Sequence, residues 1–267
     1  DSVSTKDIGL GSRASLTSTA FSGTAGSLGK NTAAGDLLIN GVSIRASDAA
    51  DDVLSSTDKS SSAIAKVAAI NASSAQTGVV ATVGNTTVGG SAMTAASLTG
   101  SITINGVATA DFSTSTDAGA SRAMTVAAIN AISDQTGVRA VDTGDVKKGV
   151  VLVADDGRNI EVEFSTANSG NLTAAATGVG AAKVYTGTYQ LASTTSSPIS
   201  IGVSSNGTLS NAGLTAGSYT ANVSAMSTVD RAVTAAAADI KQLNAGDLRI
   251  NGAAIVASST SDDKASD

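Results

Sequence analysis

Residues 37–44 read LLINGVSI, with apolar, β-favouring arms on either side of an Asn-Gly pair. The pattern returns as ITINGVAT at 102–109 and as LRINGAAI at 248–255. Asn-Gly is the preferred centre of a two-residue type I′ turn, because both central residues take positive φ. The apolar flanks therefore predict three hairpins, turning at Asn40-Gly41, Asn105-Gly106 and Asn251-Gly252.

The hydrophobic period changes after the first two hairpins. Residues 62–81, SAIAKVAAINASSAQTGVVA, align without a gap with 121–140, SRAMTVAAINAISDQTGVRA, at an offset of 59, and 13 of 20 positions are identical. In the first copy Ile64, Val67, Ala68 and Asn71 fall on helical spacing, widened by Ile70. Ser60 to Ser62 offer an N-cap. In the second copy Met124, Ala127, Ala128 and Ile132 form the corresponding stripe. Thr77-Gly78 and Thr136-Gly137 supply the stops, with glycine at the C-cap. VVATV at 79–83 and VRAV at 138–141 then read as strands. Each copy is a hairpin–helix–strand module. The fold expected is α+β and β-rich, with small antiparallel sheets covered by short helices.

Further along, 149–164 reads as a hairpin about Asp156-Gly157, with Val151, Val153, Ile160, Val162 and Phe164 inward. Residues 166–182 read as loop or weak strand. The 183–224 stretch is β-rich, with turn signals at Asn206-Gly207 and Gly213. A helix is predicted over 227–243, striped by Val229, Ala232, Val233, Ala236, Ile240 and Leu243. No helix pattern follows the third hairpin. The third motif, 245–267, therefore reads as truncated, and the chain as part of a longer polypeptide. Motif placement suggests two domains. One is discontinuous, built from 1–34 and 183–267. The other is an inserted, outermost domain at 35–182, with modules at 35–97 and 98–182.

Composition narrows the chemistry. Of 267 residues only 2% are aromatic and none is Trp, so the core must be assembled from small apolar side chains. Cys and His are absent, which excludes disulfides, thiolate chemistry and imidazole catalysis within this chain. A net charge of −6, with 16 scattered Lys and Arg, does not suit nucleic acid. No apolar run is long enough to span a bilayer, and DSVSTKDIGL has neither the basic nor the apolar part of a secretory signal. Only 14% of residues are charged and mean hydropathy is +0.18, which favours a folded chain over a solvated tail.

GDLLINGVSI followed by SAIAKVAAINASSAQTGVVATV resembles the IN motif of the variable outer domains of bacterial flagellins, a motif shared with the filament cap protein. GSITINGVAT with AMTVAAINAISDQTGVRAV resembles it again, and GDLRINGAAI matches its first third. DDGRNIEVEF and YTGTYQLASTTSSPISI are similar to flagellin sequence downstream of the motif. The resemblance covers about 35–83, 98–165, 185–201 and 245–255. It implies a structural, non-enzymatic role in motility: surface-exposed outer domains of the extracellular flagellar filament, without cofactors. The partners implied are neighbouring flagellin subunits and an export chaperone, both engaged through terminal helical regions outside this chain, with weak contacts between outer domains. Neither nucleic acid nor membrane is implied. The outer domains of a filament cap protein are the alternative, and a surface adhesin or glycan-binding domain is a more distant one.

Three carboxylate clusters bear on catalysis: Asp48, Asp51 and Asp52; Asp155 and Asp156; Asp262 and Asp263. Paired carboxylates can hydrolyse glycosides or bind Ca²⁺. DAADD lacks the ligand spacing of an EF-hand, and ADDGRN reads as a turn. No catalytic, cofactor or metal residue is assigned. Sequons occur at Asn71, Asn85, Asn171, Asn206 and Asn222. Asn130, the repeat partner of Asn71, has no sequon, so this asparagine is expected to serve the fold.

Overall fold

The computed structural model describes residues 13–165 and 171–221, together with the strands Arg249–Ile250 and Ala253–Ala254. The chain divides into two compact units, 1–223 and 224–267. The helix expected at 227–243 and the turn residues Asn251 and Gly252 lie outside the described residues. The second unit shows one antiparallel pair, Arg249 opposite Ala254 and Ile250 opposite Ala253.

The first unit is α+β. Its helices are α1 (Ala63–Asn71), α2 (Ser74–Thr77), α3 (Ala118–Asn130), α4 (Ser133–Thr136) and α5 (Ala174–Thr177). Each starts and stops for local reasons. Ser62 caps α1 by accepting from the Ala65 N–H at 3.0 Å, and Asp117 caps α3 by accepting from Gly119 and Ala120. Gly78 and Gly137 end α2 and α4 in the left-handed conformation, at φ 65° and 69°.

The strands form several small antiparallel sheets. In one, Tyr189–Ser193 lies between Ser15–Thr17 and Val79–Val83. In another, Val150–Ala154 lies between Arg139–Asp142 and Thr86–Val88. A five-stranded sheet runs Ser22–Gly23, Lys183–Tyr185, Ile160–Phe164, Ile102–Ile104, Val107–Ala108. A four-stranded sheet runs Gly217–Tyr219, Ile199–Gly202, Leu38–Ile39, Val42–Ser43.

The expected hairpin at 149–164 does not form. Val150–Ala154 and Ile160–Phe164 flank a turn at Asp156-Gly157, but they enter different sheets and do not pair. Val150, Leu152 and Ala154 line the second core, while Val153 is buried outside that cluster and Val151 is only half-buried. Apolar residues on both faces of 150–154 hide the alternation that would set the phase. The stripe expected on α3 is displaced too. Ser121, Arg122, Thr125 and Ile129 are buried, while Met124 is 50% exposed. Hydroxyls can be buried here because they bond the helix's own backbone. Thr125 Oγ1 donates to the Ser121 carbonyl at 2.8 Å, and Ser121 Oγ to that of Asp117 at 2.9 Å. Arg122 Nε donates to Asp142 at 2.6 Å, tying α3 to the strand beside it.

Two cores result. The first gathers Leu37, Ile39, Ala63, Ile70, Val79 and Ala81 from module one, with Leu16, Leu191, Ile199 and Leu214 from the flanking segments. The second lies within 88–179 and centres on Ile102, Ile104, Ile129, Leu152 and Ile160. Module one thus shares its core with segments on either side of module two. Asn159, fully buried, links the regions by donating from its backbone N–H to Ser55 Oγ at 2.8 Å and from Nδ2 to the Thr57 carbonyl at 3.0 Å.

The divergence of 150–154 from 160–164 rests on Gly157, at φ 77°. A Cβ there would lie 2.1 Å from Val83 Cγ1 and 2.5 Å from the Gly84 carbonyl oxygen. Gly157→Ala is expected to destabilise the chain by about 2–5 kcal/mol, combining left-handed strain with overpacking. Urea unfolding with circular dichroism checks this, and an unchanged midpoint would show that the turn can be relocated.

Candidate functional site: paired asparagine clamps

An isolated two-stranded hairpin is marginal in water, and so is a nine-residue helix. Something must hold each hairpin to its helix. The Asn-Gly turns do this in both described modules. Asn40 and Gly41 have φ of 50° and 81°, and Asn105 and Gly106 have 51° and 82°, the type I′ pattern.

The turn asparagine does more than turn the chain. Asn40 Nδ2 donates to the Thr77 carbonyl at 2.7 Å, at the end of α2. Its Oδ1 accepts from the Ser200 N–H at 2.7 Å, and its own N–H donates to the Ser200 carbonyl at 2.9 Å. Asn105 repeats this: Nδ2 to the Thr136 carbonyl at 3.1 Å, Oδ1 from the Glu161 N–H at 2.8 Å, backbone N–H to the Glu161 carbonyl at 3.1 Å. One residue therefore joins the hairpin, the helix end of its own module and a strand from elsewhere. The side-chain oxygen extends the ladder into the turn.

A second asparagine closes each module. Asn71 ends α1; its Oδ1 accepts from the Ala81 N–H at 2.8 Å and its Nδ2 donates to the Ala81 carbonyl at 3.0 Å. Asn130 ends α3 and holds Ala140 in the same way, at 2.7 and 3.1 Å. Both strands are sheet edges, and the amide stands where a neighbouring strand would stand. Thr77 and Thr136 complete the edge, each hydroxyl accepting from the N–H two residues on, at 3.2 Å. The amide of Asn71, the first sequon, is thus used within the fold.

The carboxylates are placed as follows. Asp48 caps the turn at Ala49–Asp51, Asp51 pairs with Arg45 at 2.8 Å, and Asp52 accepts from Leu54 and Ser55. A shallow, open cleft of about 300 Å³ brings Asp134, Asp155 and Asp156 near Arg139 and Val153. Arg139 pairs with Asp155 at 3.1 Å, and Arg158 with Asp156 at 2.6 Å. Partial burial pushes Asp156 up, but the hydrogen bonds from Arg158 outweigh it and hold the carboxyl below the usual range. A general acid for glycoside hydrolysis needs the opposite shift. Among the described residues no group of three or more acidic side chains is placed to hold a metal. Asp262 and Asp263 lie outside the described residues.

No family model matches the chain, and no curated protein sequence does.

Sequence reasoning placed the Asn-Gly turns but missed the cross-links made by their side chains. The signal was available in the spacing: Asn105, Asn130, Thr136 and Ala140 have counterparts at Asn40, Asn71, Thr77 and Ala81. Asn105→Ala is expected to destabilise by about 2–3 kcal/mol, because it strips bonds from Glu161 and Thr136 together. Gly106→Val should cost about 1–2 kcal/mol from conformation alone, since a Cβ there meets nothing within 4 Å. Denaturant melts of the two variants rank the effects. A Gly106→Val loss exceeding that of Asn105→Ala would place the stability in the turn conformation instead of the amide.

Proposed function

We propose that this chain forms the surface-exposed outer domains of a bacterial flagellin, and that its work is mechanical and interfacial. The supporting observation is the duplicated module: LLING and ITING hairpins, each followed by a VAAIN helix and a QTGV strand entry, joined by the same two asparagine clamps. The motif order is that of the flagellin outer region, and duplication suits a decoration whose size varies while its supporting framework does not. The Ser/Thr-rich face and few aromatics suit a surface held at high local density that must not self-adhere. On this reading the partners are neighbouring flagellin subunits, and the setting is the extracellular filament.

The test is immunogold labelling of intact flagella with antibodies raised against residues 35–165. Continuous decoration along the filament is the expected result. Label confined to the filament tip would instead assign the chain to the cap, and unlabelled flagella would overturn both readings.

A further inference from the structure

Lys66 lies on α1 and is only 3% exposed. Among the described residues its amine has neither a carboxylate nor a hydrogen-bond partner. It rests 4.4 Å from the centroid of the Phe21 ring, over which Lys30 also sits, at 5.7 Å. Two lysine amines thus share one small ring, the inner one nearly without water. Burial, reinforced by the charge of Lys30, lowers the Lys66 amine from 10.5 to about 7.

The repeat shows that a lysine is not needed here for packing. The offset of 59 places Thr125 at the equivalent position of α3, fully buried and bonded to its own helix backbone. Lys66 is therefore particular to module one.

Residues 21–30 run beside it, with the Phe21 ring against its amine and Lys30 over the same ring. Ser22 and Gly23 pair with Tyr185 and Val184. Beyond them the Gly26 and Leu28 N–H groups donate to Asp58 at 2.7 and 3.1 Å, and the Lys30 N–H to Ser61 Oγ at 3.0 Å. The other charged groups on the elements beside α1 are engaged elsewhere or outside its reach. Asp51 pairs with Arg45, Asp52 accepts from Leu54 and Ser55, and Asp58 holds the strap. Among the described residues, Lys30 is the charged group that acts on it.

We propose that residues 21–30 form a pH-responsive strap, closed over Lys66 while its amine is neutral and loosened when the amine takes up a proton. A protonated Lys66 under the closed strap faces Lys30 with no anion to offset it, and opening hydrates both. The open state binds more protons than the closed one between about pH 7 and 10.5, so the closed population rises with pH through that window. Below about 7 both states hold the proton, and the closed state is at its weakest.

The experiment is amide exchange by NMR on the intact chain, expressed as protection factors for Gly26, Leu28 and Lys30 at pH 6.5 and 8.5. Protection in the wild type is expected to rise on the order of tenfold between the two, by proton linkage. In Lys66→Met it should be high at both pH values. Lys66→Thr, which copies module two, is the second variant should the first not fold. Equal wild-type protection at both pH values, or the same rise persisting in either variant, overturns the proposal.

Discussion

Everything in the first unit depends on side-chain amides standing in for backbone. The elements are short: two- and three-residue strand arms, and helices of four to thirteen residues. None would persist alone. Asn40 and Asn105 convert three weak pieces into one by bonding a strand peptide and a helix-end carbonyl at once. Asn71 and Asn130 then hold the strand that leaves the helix, along an edge that no other described strand covers. A carboxamide suits both places because it carries an acceptor and a donor in one plane, the same pair a peptide presents.

This economy fits the composition. With few aromatics, apolar burial comes from Ala, Val, Ile and Leu, each contributing modestly. Ala63, Ala65 and Ala69 let α1 approach its sheet closely, and buried hydroxyls at Ser121, Thr125, Thr77 and Thr136 fill space while bonding nearby backbone. Tyr189 is the exception in size, fully packed and donating its hydroxyl to the Ala212 carbonyl at 2.5 Å. Satisfying polar groups locally keeps orphans few in this small-residue core: among the described residues the buried Asp52 Oδ2, Thr86 Oγ1 and Asn159 Oδ1 lack a hydrogen-bond partner. Lys66, a buried amine set against the Phe21 ring, is the basis of the proposed strap.

Much of the architecture is legible in the sequence. Repetition exposed the modules, and Asn-Gly, Ser62, Gly78 and Gly137 marked turns, cap and stops through local backbone demands that sequence states directly. What was hidden depended on partners far away in the chain. The segment 150–154 is apolar on both faces, so nothing local revealed which face is inner or that its partners are 139–142 and 86–88. Met124 is apolar yet exposed because polar Ser121 and Thr125 hold the inner face, a reversal that periodicity cannot register. The clamps were half visible. Asn71 and Asn130 stood out by recurrence, but Ser200 and Glu161 lie 160 and 56 residues from the asparagines they meet.

The central claim is that these amides act as backbone partners. Native-state hydrogen exchange of the Ser200, Glu161, Ala81 and Ala140 amides tests it most directly, because each N–H is donated to an asparagine side chain. The account predicts protection comparable to the neighbouring ladder amides of Ile201, Val162 and Leu152. Exchange of these four at the rate of exposed loop amides, while the ladder stays protected, would contradict it.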